Sequence, residues 1–180
     1  MAYEPRFSIS SRLLSQVEQI TALRERIQNA TVELSWIPAL QKDTRTRNGH
    51  ASTAIEGNPL TLQQVRALEE GRELSAVDPR SSREVLNYFA GLRYVEKHAR
   101  KKTIRHEDIF QLHRLLADKV MDQGEAGSYR KIAVRVGRHV PPVASDVSGL
   151  MFELLDWWNH QSVVHSPVLS SAILHYQFEW

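Results

Sequence analysis

Histidine is the residue type that most directly suggests chemistry in this sequence, because eight are present and imidazole is a common metal ligand. A zinc site on one helix usually has two histidines four residues apart and a supporting carboxylate. The two closest histidines, His160 and His165, are instead separated by a predicted loop. We therefore predict no metal site and expect the histidines to be surface or half-buried side chains.

Nucleophilic and acid–base catalysis also lack a suitable group of residues. The chain has no cysteine, so it can form neither a thiol nucleophile nor a disulfide. It contains no G-x-S-x-G elbow, P-loop or G-x-G-x-x-G turn. The adjacent carboxylates Glu69 and Glu70, like Glu107 and Asp108, point in different directions on their predicted helices. We predict that no catalytic residue lies in this chain.

Composition favours one globular unit that binds neither membranes nor nucleic acid. Hydrophobic residues make up 42% of the chain, and 23 basic residues face 21 acidic ones, a balance that makes nucleic-acid binding unlikely. No stretch approaches the ~18 apolar residues of a membrane span, and the first residues lack the apolar core of a signal peptide. The absence of cysteine fits a cytoplasmic protein. Trp157 and Trp158 lie among aliphatic residues on one predicted helix, which favours core packing over a stacking platform.

Helices are the main elements that would position functional residues, because apolar residues recur at helical spacing along most of the chain. Pro38 should kink or end a helix within the apolar patch 32–40, and the polar residues 41–50 are expected to form a loop. Gly57-Asn58-Pro59 should end the next helix. The predicted helices cover residues 11–27, 51–55, 61–70, 81–98, 104–121 and 145–161, and a last one runs from 166 to the end.

Helix starts are predicted from capping residues. A Ser or Thr followed three residues later by Glu or Gln forms a capping box, and Ser, Asp or a following proline also mark a first turn. The predicted starts are Thr61-x-x-Gln64, Ser81-x-x-Glu84, Ser145 or Asp146, and Ser166-Pro167.

Residues 129–140 have a different pattern from the rest of the chain. Ile132, Val134 and Val136 stand at every second position, which is the period of a β-strand. Pro141-Pro142 would end that strand because proline has no N–H to donate. The sequence therefore predicts an all-α helical bundle with one small β-hairpin.

A short polar pattern, Ser52-Thr-Ala-Ile-Glu56-Gly57, falls at the end of the helix predicted over 51–55. It resembles the inhibitory motif (S/T)-x-x-x-E-(G/N) of the Fic family of AMP-transferases. These six positions are weakly specific alone, but further landmarks follow in the order of the family. The landmarks are Glu84-Val-Leu-Asn87-Tyr88, Leu112-His-Arg-Leu-Leu116, Gly127-Ser-Tyr-Arg130, Val134-Arg-Val-Gly137, Pro141-Pro142, Leu155-Asp-Trp157 and Ala172-Ile-Leu-His175-Tyr-Gln-Phe178-Glu-Trp180.

The resemblance implies the family's all-α fold, with residues 1–44 as an N-terminal helical region and 45–180 as a Fic-like region. In the family, the segment similar to 172–180 leads into the catalytic loop H-x-F-x-(D/E)-G-N-(G/K)-R, which these residues do not contain. His175 is not its histidine, because Phe178 follows at the third position rather than the second. We expect a fragment of a longer protein that is inactive alone and binds ATP and magnesium poorly.

Two segments have roles implied by the resemblance. Glu56 would pair with an arginine that otherwise holds the γ-phosphate of ATP, Ser52 would steady that helical turn or the carboxylate, and Gly57 would form the exit. Taken without the resemblance, Glu56 is an exposed acid near a helix end and the strand region is a hairpin with no partner. A flap that aligns the target peptide would consist of Val134, Arg135, Val136 and Gly137.

The implied activity of the parent protein is transfer of AMP from ATP, with magnesium, to a Ser, Thr or Tyr hydroxyl of a target protein. Phosphocholine transfer and de-AMPylation remain alternatives within the family. From a different class, the chain could be a helical interaction module or a transcription-linked protein without transferase activity. The resemblance leaves a homo-oligomer open.

Overall fold

The computed structural model describes residues 3–30 and 34–179. The all-α fold expected from the sequence is confirmed, and no helix in the described ranges is long and apolar enough to cross a membrane. Two 3-10 turns, Leu34–Trp36 and Ser162–Val164, accompany the α-helices. In chain order these helices are α1 (Ser11–Gln28), α2 (Ile37–Ile55), α3 (Leu62–Glu69), α4 (Pro79–His98), α5 (His106–Ala117), α6 (Ala144–His160) and α7 (Pro167–Glu179).

The helices divide into two compact units, where composition suggested one. Residues 33–130 form the α2–α5 unit, and residues 1–32 with 131–180 form the α1/α6/α7 unit. The proposed boundary between regions 1–44 and 45–180 stays a prediction.

The α2–α5 unit has a small aliphatic and aromatic core. Val65 and Leu68 of α3 pack with Val85 and Phe89 of α4 and with Leu60 from the preceding turn, and each is at least nine-tenths buried. Helix α2 packs against both α3 and α4. The core therefore lies beside the helix that carries the predicted inhibitory residues.

The α1/α6/α7 unit is centred on α6. Trp157 is 1% exposed, as its predicted core role requires, and the Tyr3 ring meets it edge-on at 5.6 Å between centroids. Helix α7 is linked to the 3-10 turn by a hydrogen bond from Ser170 Oγ to Ser162 O of 2.8 Å. Helices α1 and α7 have the predicted positions, and Trp180 lies outside the described residues.

The prediction of a loop over 41–50 is wrong, because those residues form the middle of α2. Pro38 does not end a helix but lies in its first turn, where a missing N–H costs nothing; part of the patch 32–40 falls on residues 31–33, outside the described ranges. Thr46 and Gly49 are the buried residues of α2. Neither residue is hydrophobic, so the buried face of α2 lacks the apolar residues at helical spacing that would have predicted a helix.

Helix starts were predicted with mixed success. Thr61 and Gln64 form the expected capping box, with Thr61 Oγ1 accepting from Gln64 N at 3.3 Å. Helix α4 begins at Pro79 and is capped by Asp78 rather than by Ser81, which here donates its N–H to Asp78 Oδ2 at 2.9 Å. Helix α5 is shorter than predicted. The caps at Ser145 or Asp146 are wrong, because the N-cap of α6 is Val143.

The predicted hairpin is present only in minimal form. Val136 and His139 exchange two backbone hydrogen bonds, of 3.1 and 3.0 Å, in an isolated antiparallel bridge. The alternating residues before it form no strand. Alternation marks a strand only where a neighbouring strand pairs with it, and the described part of the chain supplies none here.

Candidate functional site

The last turn of α2 ends in a well-defined Schellman motif. Asn58 N donates to Thr53 O and Gly57 N donates to Ala54 O, both at 3.0 Å. Gly57 has φ of +92°, the left-handed conformation that glycine adopts at little cost. Gly57 therefore provides the helix exit, and Glu56 lies at the C-cap.

Glu56 is exposed, and its carboxylate forms no hydrogen bond or ion pair with any residue that the structure describes. Ser52 is on the same turn, but its hydroxyl lies 3.4 Å from Tyr88 Oη rather than on the Glu56 carboxylate. Ile55, between them, is 82% exposed. The Glu56 carboxylate is thus open to a cationic group brought from outside the described residues.

Polar side chains link the first half of α2 to α3. Asp43 accepts from Arg66 at 2.6 Å and from Arg47 of its own helix at 2.6 Å. The hydrogen bond from Arg47, followed by the charges of Arg47 and Arg66, lowers the pKa of Asp43 below its ordinary value. Further links join Lys42 to Glu70 at 2.9 Å and the buried Thr46 hydroxyl to the Glu69 carboxylate.

Close packing fixes the middle of α2 against α4. Gly49 is buried, and a Cβ built on it would lie 2.8 Å from Phe89 Cζ. At a separation this short, a Cβ at position 49 would force the Phe89 ring or the helix to shift. The absence of a side chain therefore sets how closely the two helices approach.

A buried amide that the sequence analysis named only as part of a helix-end signal lies two residues after Glu56. Asn58 is 8% exposed, and its Nδ2 donates to Ser81 O and to Glu84 Oε2, both at 2.9 Å. Its Oδ1 accepts from Leu60 N at 3.1 Å, an Asx turn. The pair Asn58-Pro59 was the available signal, since asparagine before proline favours a turn closed by its side chain.

The Glu84 carboxylate that receives Asn58 is held in turn by a second contact. Arg80 Nε donates to Glu84 at 3.3 Å, and the same guanidinium forms a bidentate pair with Asp122 at 2.6 and 3.0 Å. These hydrogen bonds, first those of Asp122, raise the pKa of Arg80. The start of α4 is thereby connected both to the end of α2 and to the segment after α5.

Two of the family-like landmarks meet in the α2–α5 unit. His113 Nδ1 accepts the Gly127 N–H at 3.1 Å, and His106 Nδ1 lies 2.6 Å from the Tyr129 hydroxyl. Gly127 has φ of +83°, and a Cβ on it would overlap Arg114. The histidines of α5 thus order the segment that precedes the predicted flap.

The predicted flap residues belong to the α1/α6/α7 unit, and the predicted inhibitory residues belong to the α2–α5 unit. Gly137 adopts φ of +61° in the turn of the bridge, and its carbonyl accepts from Arg135 Nε at 3.0 Å. Val136 is 68% exposed and Val134 is 37% exposed. The inhibitory and flap roles stay predictions.

The comparisons with known proteins agree on one family. A family model described as Fic/DOC family matches residues 103–180. Relatives named protein adenylyltransferase Fic, from Drosophila willistoni and Culex quinquefasciatus, are each 32% identical over 94% and 92% of this chain. Those matches cover 34% and 35% of the relatives, so the chain spans about a third of their length.

Solved structures give the same result. A Fic family protein from Desulfovibrio desulfuricans G20 aligns with a TM-score of 0.83 at 32% identity, covering 98% of this chain and 53% of that one. Fic-1 from C. elegans, residues 134–508, aligns with a TM-score of 0.76 at 26% identity, covering 93% and 51%.

Proposed function

The chain belongs to the Fic/DOC family, and we propose that it is the N-terminal portion of a protein adenylyltransferase held inactive by Glu56. The observation that carries this proposal is the position of Glu56. It stands exposed at the end of a helix whose flanks are fixed by α3 and α4, and its carboxylate has no partner in the described chain.

Inhibition follows from competition between two anions for one cation. In the family, the motif glutamate pairs with an arginine that otherwise holds the γ-phosphate of ATP. A carboxylate and a guanidinium form a charge-assisted, bidentate contact, so Glu56 on a fixed helix end would compete with phosphate at little entropic cost. ATP would then bind without reaching the geometry that in-line transfer requires.

The cofactors we propose for the parent protein are ATP and magnesium. No group of three or more His, Asp or Glu side chains in the described ranges could hold a metal ion. The described side chains therefore offer no complete protein-only metal site. The roles proposed for this chain are inhibition by Glu56 and alignment of the target peptide by the predicted flap.

The proposed partner is a target protein that presents a Ser, Thr or Tyr hydroxyl. The predicted flap, in which Val136 is 68% exposed, would align that target through backbone pairing with an extended peptide. A location in the cytoplasm and AMP as the transferred group complete the proposal. The names of the relatives favour this activity over an interaction module without transferase activity.

The test uses an extended protein, in which these 180 residues continue into a Fic catalytic loop. Glu56→Gly removes the carboxylate, and we expect it to raise AMP transfer from labelled ATP. A hydrogen bond to a charged group contributes about 1.5–3 kcal/mol, so the rate should rise roughly tenfold to a hundredfold. Equal labelling by Glu56→Gly and the parent would refute inhibition by Glu56.

Glu73→Gly is the matched control. Glu73 is an exposed acid in the segment between α3 and α4, so its removal changes the net charge equally without touching α2. Its labelling should equal that of the parent protein.

A further inference from the structure

The Asn58 side chain is a buried amide next to the predicted inhibitory residues, and it joins three segments. It accepts from the turn at Leu60 and donates to α4 at Ser81 O and Glu84 Oε2. The two receiving groups are 23 and 26 residues away in sequence. These are therefore tertiary contacts, and they hold the helix end in addition to its local Schellman bonds.

The backbone of Asn58 belongs to the same motif that orients Glu56. Its N–H donates to Thr53 O, one turn back in α2, while its side chain is bonded to α4. One residue thus fixes the end of α2 from both sides. Because Glu56 is only two positions earlier, a rotation or fraying of that end moves the Glu56 carboxylate directly.

We propose that Asn58 is the positioning residue for Glu56: its amide contacts with Ser81 and Glu84 hold the end of α2 where the Glu56 carboxylate inhibits. The expected effect of Asn58 on AMP transfer rests on the proposed function. The anchoring itself depends only on the contacts of the α2–α5 unit. The two parts can therefore be tested separately.

Asn58→Asp isolates the contacts with α4. Aspartate has the same shape and still accepts from Leu60 N, but it replaces the two N–H donors with a carboxylate that faces Glu84 and Ser81 O. In this 180-residue chain, amide hydrogen exchange at positions 57 and 58 should become about tenfold faster relative to α3.

Asn87→Asp is the matched control for loss of a buried amide. Asn87 is 5% exposed and donates to Leu116 O and Asp118 O, which links α4 to the end of α5. Its replacement should destabilise the unit without selectively speeding exchange at 57 and 58. Unchanged exchange in Asn58→Asp, or an equal selective increase in Asn87→Asp, would overturn the anchoring.

Rescue by a second change separates position from general stability. Adding Glu84→Gln to Asn58→Asp introduces an amide that can donate to the new carboxylate, which restores one hydrogen bond between the end of α2 and α4. Exchange at 57 and 58 should then return most of the way to the parent rate. If exchange at 57 and 58 stayed fast in the double variant, the proposed contact between positions 58 and 84 would be wrong.

The activity arm uses the extended protein. Asn58→Asp should raise AMP transfer severalfold when Glu56 is present and should add nothing to Glu56→Gly, because a positioning residue acts only through the group that it positions. If Glu56→Gly raises transfer but Asn58→Asp does not, the inference fails and the proposed function stands. If Glu56→Gly itself has no effect, the proposed function fails, and the effect of Asn58 on transfer fails with it.

Discussion

Replacing Gly49 with alanine should destabilise the chain, although alanine is the better helix former. Gly49 is buried in the middle of α2, and a Cβ there would lie 2.8 Å from Phe89 Cζ and 2.9 Å from Phe89 Cε1. Phe89 is 1% exposed and belongs to the core cluster. Its ring cannot move away without disturbing neighbours that are themselves closely packed.

Two opposing terms set the size of the effect. Exchanging glycine for alanine within a helix contributes about 1 kcal/mol of stability. Forcing a methyl group into a filled core costs about 1–3 kcal/mol. The net expectation is a loss of about 1 kcal/mol in the free energy of unfolding.

Gly149→Ala supplies the matched comparison. Gly149 lies in the second turn of α6, and a Cβ there would meet no described atom within 4 Å apart from its chain neighbours and the nearby backbone of its own helix. The same chemical change should therefore stabilise the chain by about 1 kcal/mol. Urea unfolding followed by circular dichroism would place the two variants on opposite sides of the parent, separated by about 2 kcal/mol. If Gly49→Ala were as stabilising as Gly149→Ala, the close approach of α2 to α4 would be wrong.

Two further predictions concern helix starts. Thr61→Ala removes the hydroxyl that accepts from Gln64 N and should lower the free energy of unfolding by about 1 kcal/mol in the same urea assay, whereas Thr61→Ser should restore it. Burial alone would raise the pKa of Asp108, but hydrogen bonds from Lys101, Arg105 N and Tyr94 outweigh it and lower the pKa to about 2. Because the folded pKa is depressed below its ordinary 3.8, Asp108 contributes stability above that value, and the contribution is lost as the pH falls towards about 2. Between about pH 4 and 2 the parent should therefore lose stability more steeply than Asp108→Asn, and parallel slopes would contradict this.

The parts of the fold that the sequence predicts are those with local causes. The capping box at Thr61 and the glycine exit of α2 involve residues within one turn of each other, so their types and spacing are enough. Helix α2 was missed over 41–50 because its stability comes from contacts with α3 and α4. The pair Asp43–Arg66 spans 23 residues of sequence, and no local pattern reveals it.

The residues of the candidate site also differ in whether the sequence alone could identify them. Glu56 was found through resemblance, since an exposed acid at a helix end has no physical signature of its own. Asn58 was missed although it adjoins the motif, because the groups that it contacts on α4 are remote in sequence. Asp78 displaced Ser81 as the cap of α4 because a proline at the following position favours a helix start there.

The position of Glu56 depends more on the buried contacts that α2 makes than on the ion pairs that α2 makes. The side chains of the pairs Lys42–Glu70 and Asp43–Arg66 are about one-third or more exposed, and such pairs contribute about 0–1 kcal/mol each and weaken with salt. Two contacts of α2 lie inside the unit. At Gly49, an added methyl group would overlap Phe89, and at Asn58, loss of the amide would leave Ser81 O without that donor. Because α2 is one continuous helix from Ile37 to Ile55, the contact at Gly49 fixes its axis and the contact at Asn58 fixes its end. Together these contacts determine where the carboxylate lies.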